Sequence, residues 1–173
     1  GIHLMKTMMA NYILEGIYFY SGFMFFYNLG RMGKMPGSVQ EIRYINRDEN
    51  THLWLFRNMI IELQKEEPTL FTPEKIEVYR NMLKRGVEEE IAWGQYVLGN
   101  RIEGLTMDMV SDYIHYLGNL RAFSLNFEPL YEGFETEPEA MKWVSIYSNA
   151  NNITLKPEVV HHLQLSKERK QEI

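Results

Sequence analysis

Residues 11–30 read NYILEGIYFYSGFMFFYNLG, with one carboxylate, Glu15, inside a run that is otherwise almost wholly aliphatic and aromatic. An isolated buried carboxylate is costly unless a positive group meets it. Glu15 therefore finds a cation, is held protonated, or points away from the core. The apolar run from Ile13 to Leu29 is long enough to raise the question of a membrane span. Glu15, Gly16, Ser21, Gly22 and Asn28 interrupt it, so a buried core helix is the better reading and no membrane association is expected.

Composition narrows the classes. At 173 residues the chain is one domain or a large part of one, with enough length to bury a sizeable core. Hydrophobic residues make up 45% and charged residues 24%, ordinary values for a globular protein. The net charge of −5, with no dense basic block, argues against a nucleic-acid partner. There are no cysteines, which rules out disulfides, Cys-ligated zinc, iron–sulfur clusters and a thiol nucleophile in this chain. That absence fits a reducing compartment, and a cytoplasmic location is expected.

Four long segments read as helix. The first covers about 2–28 and stops at LGRMGKMPGS, where glycines and Pro36 break the pattern. The second covers about 38–66, with an apolar stripe of Ile42, Ile45, Leu53, Phe56, Ile60 and Leu63 at helical spacing. Thr72-Pro73 starts a third, about 73–98, and Thr106 caps a fourth that runs to about 126. Pro129 ends the regular pattern. The expected class is all-α, a helical bundle, with residues 1–128 as its core and 129–173 as an irregular C-terminal arm carrying one short terminal helix.

An acid and a histidine three residues apart share a helix face and can meet one metal ion together. The sequence holds three such pairs: Glu49 with His52, Asp112 with His115, and Glu158 with His161. Only Glu49 and His52 lie among strongly apolar neighbours. Asp112 has Asp108 and Asn119 nearby, a wetter face, and Glu158 sits in the arm after Pro157, so an ordinary solvated or packing role is expected for both of those pairs. Glu15 and Glu49 are thus the two acids on apolar helix faces. Antiparallel neighbouring helices would let them share a cation, and carboxylate with imidazole suits iron or manganese, with zinc also possible. Ferritin-like dimetal proteins use two such Glu helices and two Glu-x-x-His helices, so one of each is half a site.

At these residues the sequence resembles the small, radical-generating β subunit of class I ribonucleotide reductase. LEGIYFYSGF (14–23) is similar to that family's helix with a lone Glu ligand, and INRDENTH (45–52) to its Arg-Asp-Glu-x-x-His helix. The 34-residue interval from Glu15 to Glu49 also agrees, as do YIHYLGNLRAFSLNFEPLYEG (113–133), with its Asn-x-Arg segment, and MKWVSIY (141–147). The resemblance implies a ferritin-like bundle in which Glu15, Glu49 and His52 ligate a dinuclear centre, Fe/Fe or Mn-containing. It implies that Asp48 is a carboxylate bonded to a ligand histidine on the radical-transfer route, and that Phe19 and Phe23 wall the radical off from water. Ser21-Gly22 is the expected place for that helix to loosen. His115 and His161 match no ligand position of the family.

By the same resemblance, the other half-site and the radical-bearing tyrosine should precede Glu15, and a docking tail should follow the arm; neither is present. The chain is therefore expected to be the C-terminal portion of a small subunit, with an incomplete dimetal centre and no activity alone. Its expected partners are the large α subunit, a second copy in a homodimer, and the missing N-terminal half. The expected reaction of the whole is ribonucleoside-diphosphate reduction to deoxyribonucleotides. Two alternatives stay open: a ferritin-like dimetal oxidase that binds a lipid-like ligand, and a metal-free helical interaction module in which Arg47 or Arg121 neutralises Glu15.

Overall fold

The structure, a computed structural model, describes residues 1–148. Among them are six α-helices: α1 (Ile2–Gly16), α2 (Tyr20–Arg31), α3 (Pro36–Glu66), α4 (Pro73–Val97), α5 (Met107–Ser124) and α6 (Trp143–Ser148). Short 3-10 turns at Pro68–Phe71 and Glu139–Met141 join some of them. The expected all-α bundle is present, and no helix of the described residues is long and apolar enough to cross a membrane. The terminal helix and the Glu158–His161 pair lie outside the described residues.

Periodicity explains the packing. On α1, Met5, Met8, Met9, Tyr12, Ile13 and Gly16 are buried, a stripe at three- and four-residue steps. On α3 the buried residues Val39, Asn46, Leu53 and Ile60 recur every seven positions. Ile42, Phe56 and Leu63 pack half-buried in the alternate row, and Glu49 falls in that row as well. Two such rows make a coiled-coil-like seam. The α3 seam packs chiefly on α1, while α4 packs chiefly on α5. Ile45, expected in the stripe, is 45% exposed instead. It lies outside the two rows, at a step from Ile42 that turns it toward the flank.

The segment after α5 is held by Asn119. Its Nδ2 donates to the carbonyls of Tyr131 (2.7 Å) and Phe134 (3.0 Å), and its Oδ1 accepts from the N–H groups of Leu130 (2.8 Å) and Tyr131 (2.9 Å). All four hydrogen-bonding positions of one buried amide are filled. Further on, Tyr147 stacks on Tyr27 at 5.6 Å, and Arg31 lies 4.3 Å from the Trp143 ring, which seats α6 against α2.

The helix expected over 2–28 is two helices. It breaks at Ile17–Phe19, where Phe19 has φ of 77°, and not at Ser21-Gly22. A left-handed conformation at a bulky residue is uncommon and needs outside support. Local sequence contains no proline here; side chains from α4 and α5 provide the support.

Gly86 sets how closely α1 meets α4. A Cβ there would lie 2.5 Å from Ile13 Cγ2, a branched side chain that is itself buried. Gly86→Ala gains about 1 kcal/mol of helix propensity. Overpacking costs about 1–3 kcal/mol, so the substitution should be net destabilising. Urea denaturation checks it; an unchanged or stabilised Gly86→Ala chain would mean that the two helices do not approach this closely.

Candidate metal centre

Glu15 stands in the last turn of α1 and Glu49 midway along α3. The seam between those helices brings the two acids together, with His52 one turn beyond Glu49. One ligand atom from each of Glu15, Glu49 and His52 lies within 4.8 Å of the others. His52 Nδ1 is 2.9 Å from Glu49 Oε2 and 3.8 Å from Glu15 Oε2. The side chains are 13% exposed for Glu15, 23% for Glu49 and 54% for His52, so the cluster has a dry floor and an open mouth.

The electrostatics are those of crowded acids. Burial first, then the hydrogen bond and the charge of Glu49, push the Glu15 carboxyl up to about 7, with His52 pulling the other way. The Glu49 hydrogen bond in turn lifts His52 above its ordinary value. Glu15 also sits at the negative end of the α1 dipole, which adds to the cost of its charge. Neither Arg47 nor Arg121, the two arginines that could neutralise it, does so. Arg47 holds its neighbour Asp48 through Nε (3.2 Å) and Nη2 (3.1 Å), and Arg121 Nε donates to the Gly16 carbonyl at 2.9 Å. Two carboxylates and an imidazole facing one point, short of positive charge, are a donor set that fits iron or manganese.

The remaining candidates divide. Asp48 is 63% exposed and paired with Arg47, and it acts on His52 only weakly, through its charge. Phe23 is buried, whereas Phe19 is 45% exposed; their ring centroids are 6.2 Å apart. Both face an open apolar groove also lined by Phe26, Ile42, Ile45 and Trp93. His115 turns away from exposed Asp112: its Nδ1 donates to the Ser111 carbonyl (2.9 Å), and its ring lies against Tyr131 and Phe134 at 4.5 and 4.8 Å. It is a packing histidine.

Sequence reading missed Glu90, which is 3% exposed and accepts the Ser21 N–H at 2.8 Å. The signal was available. Tyr79, Leu83, Val87, Glu90 and Gly94 are buried along one face of α4, so Glu90 is an acid within an apolar stripe, just as Glu15 is.

Residues 2–138 match the family described as ribonucleotide reductase, small chain. The chain is 69% identical over 150 residues to the ribonucleoside-diphosphate reductase subunit beta of Treponema pallidum, covering 87% of this chain and 43% of that protein. Against the protein of the same name from Halalkalibacterium halodurans, identity is 38% over 148 residues, covering 86% and 42% respectively. The solved ribonucleotide reductase R2 subunit from Clostridium botulinum superposes with a TM-score of 0.81 at 50% identity, over 86% of this chain and 46% of that one. The chain spans less than half the length of these relatives, and its fold is their ferritin-like helical bundle. With the seam acids in place and this breadth of match, the chain belongs to the ribonucleotide reductase small-chain family, a family of dimetal-carboxylate proteins.

Proposed function

We infer that the chain supplies one side of the dimetal centre in the small subunit of a ribonucleoside-diphosphate reductase. Support comes chiefly from the convergence of Glu15, Glu49 and His52 within 4.8 Å, on neighbouring helices of a chain in this family. When bound, an iron or manganese pair would supply a one-electron oxidant that starts radical chemistry in a large subunit, where a separate reductant provides the electrons that reduce the ribonucleotide. The work of this chain's own residues is ligation, exclusion of water and a hydrogen-bonded exit. Glu15 and Glu49 offer oxygen donors and His52 a nitrogen. Phe19 and Phe23 would be apolar walls of the site, and Asp48, next to Glu49, would leave Arg47 to bond a ligand histidine from the rest of the subunit.

The remainder of such a subunit would cover the open mouth of the cluster. Leu14, Phe19 and Ile45 flank the donors in sequence or line the groove, and all are exposed. Exposed apolar side chains beside a half-exposed ligand suit burial by further helices. The large subunit and a second copy of the small subunit are the other partners in this reading, and neither a nucleic acid nor a membrane is among them. A reducing, cytoplasmic setting accords with the lack of cysteine.

Anaerobic Mn(II) titration of the chain, followed by the loss of the free-ion electron paramagnetic resonance signal, tests the inference. One ion or fewer should bind weakly, and Glu49→Ala with His52→Ala should abolish binding. Two tightly held ions per chain, or binding that survives the double substitution, would sink it.

The raised Glu15 pKa gives a second expectation. A proton held by Glu15 up to about pH 7 must leave before the carboxylate can ligate, so Mn(II) affinity should rise with pH through that range. Without metal the sign reverses for stability. A carboxyl whose folded pKa exceeds its unfolded value binds the proton more tightly when folded, so its stabilising effect is full below the unfolded pKa and fades as pH rises through the folded one. His52, also raised, contributes in the same sense. The melting temperature of the metal-free chain should therefore fall from about pH 5 to about pH 8, and Glu15→Gln should flatten that slope.

A further inference from the structure

The break between α1 and α2 opens several rungs of the helical ladder, and two of them are met by side chains from other helices. In a continuous helix the Gly16 carbonyl would accept from the Tyr20 N–H, and the Ile17 carbonyl from the Ser21 N–H. Neither bond is made that way. Arg121 of α5 gives its Nε–H to the Gly16 carbonyl at 2.9 Å, and its Nη2 reaches the Tyr20 hydroxyl at 3.3 Å. Glu90 of α4 takes the Ser21 N–H at 2.8 Å, and the Ser21 hydroxyl donates to the Glu90 carbonyl at 3.4 Å. Each side chain has replaced a backbone partner of the ladder.

The signs also match. The carboxyl lies at the N-terminus of α2 and the guanidinium at the C-terminus of α1, each at the helix end whose partial charge it complements. Both are buried, Glu90 3% and Arg121 9% exposed, and they do not pair with each other. Burial of two such groups is costly unless their hydrogen bonds are made, and these bonds go to the break. The fit is close at Gly16, where a Cβ would come within 2.8 Å of Leu53 Cδ1 and 2.9 Å of Arg121 Nε.

The break begins two residues after Glu15. Healing it would continue α1 straight through Phe19, stacking that ring one turn above Glu15 on the same face. We propose that Glu90 and Arg121 are positioning residues: by taking the hydrogen-bonding groups on the two sides of the break, they set where Glu15 stands relative to Glu49 and His52, and where Phe19 stands relative to Glu15. Neither touches the donors. The metal-setting half of this role rests on the function inferred above; the clamp on the backbone does not.

The test compares Glu90→Gln with Glu90→Leu in the full chain. Glutamine keeps an acceptor for the Ser21 N–H without the charge, whereas leucine keeps the apolar packing without the acceptor. Removal of an outer-shell partner typically costs about 10- to 100-fold in metal affinity. Glu90→Leu should weaken Mn(II) binding by about tenfold or more, while its melting temperature stays near that of the unsubstituted chain. Glu90→Gln should stay within about threefold of the unsubstituted chain, because the acceptor that positions the break remains. In the metal-free chain, the Phe19 Cα chemical shift should move to helical values in Glu90→Leu and stay put in Glu90→Gln. Unchanged affinity and shift in the leucine chain, or equal losses in both, would overturn the proposal. If the leucine chain does not fold, Arg121→Met reads the other rung by the same two measurements. Failure of the unsubstituted chain to bind Mn(II) would overturn the metal-setting half, while the Phe19 shift would still decide the clamp.

Discussion

Two carboxylates face each other across the α1–α3 seam, and their mutual repulsion is the constraint around which the site is organised. A heptad seam is built for apolar knobs, yet Glu49 occupies one of its core rows and Glu15 meets it from the opposing helix. The pair is tolerable without metal because Glu15 holds a proton up to about pH 7 and His52 bonds to Glu49. A cation would replace both expedients. The same low exposure that makes the acids uncomfortable would favour a cation between them, since few waters compete for their oxygens.

A second buried polar layer lies behind the first. Asn119 and Arg121, two residues apart on α5, do separate jobs: the amide fixes the chain after α5, and the guanidinium reaches the broken helix that carries Glu15. Glu90 reaches the same break from α4. Hydrogen bonds, which are directional in a way that apolar packing is not, thus tie α4 and α5 to the end of α1 that carries Glu15. Tyr12 is drawn into this layer as well, donating to the Arg121 carbonyl at 3.0 Å.

Much of this was legible in the linear sequence. Glu15, Glu49 and His52 could be picked out because an acid on an apolar stripe is an anomaly that periodicity exposes, and the resemblance at LEGIYFYSGF and INRDENTH gave that anomaly a chemistry. The helices of α3, α4 and α5 fell within a few residues of their expected bounds because prolines and a capping threonine punctuate them; Thr106 Oγ1 does accept the Met109 N–H. Its wetter sequence neighbours did not foretell that His115 packs against Tyr131 and Phe134, residues brought to it by the turn after α5.

The linear pattern determined which residues form helices and which faces of them are buried, because hydrophobic spacing is a local property that each segment carries alone. It could not place the break at Ile17–Phe19. Nothing in that stretch disfavours a helix strongly enough, and the groups that open the ladder come from residues 69 and 105 positions away along the chain. Nor could it decide that Phe19 stands half in solvent. Those outcomes depend on which helices pack alongside, and only the assembled bundle supplies the competing hydrogen-bond partners that decide them.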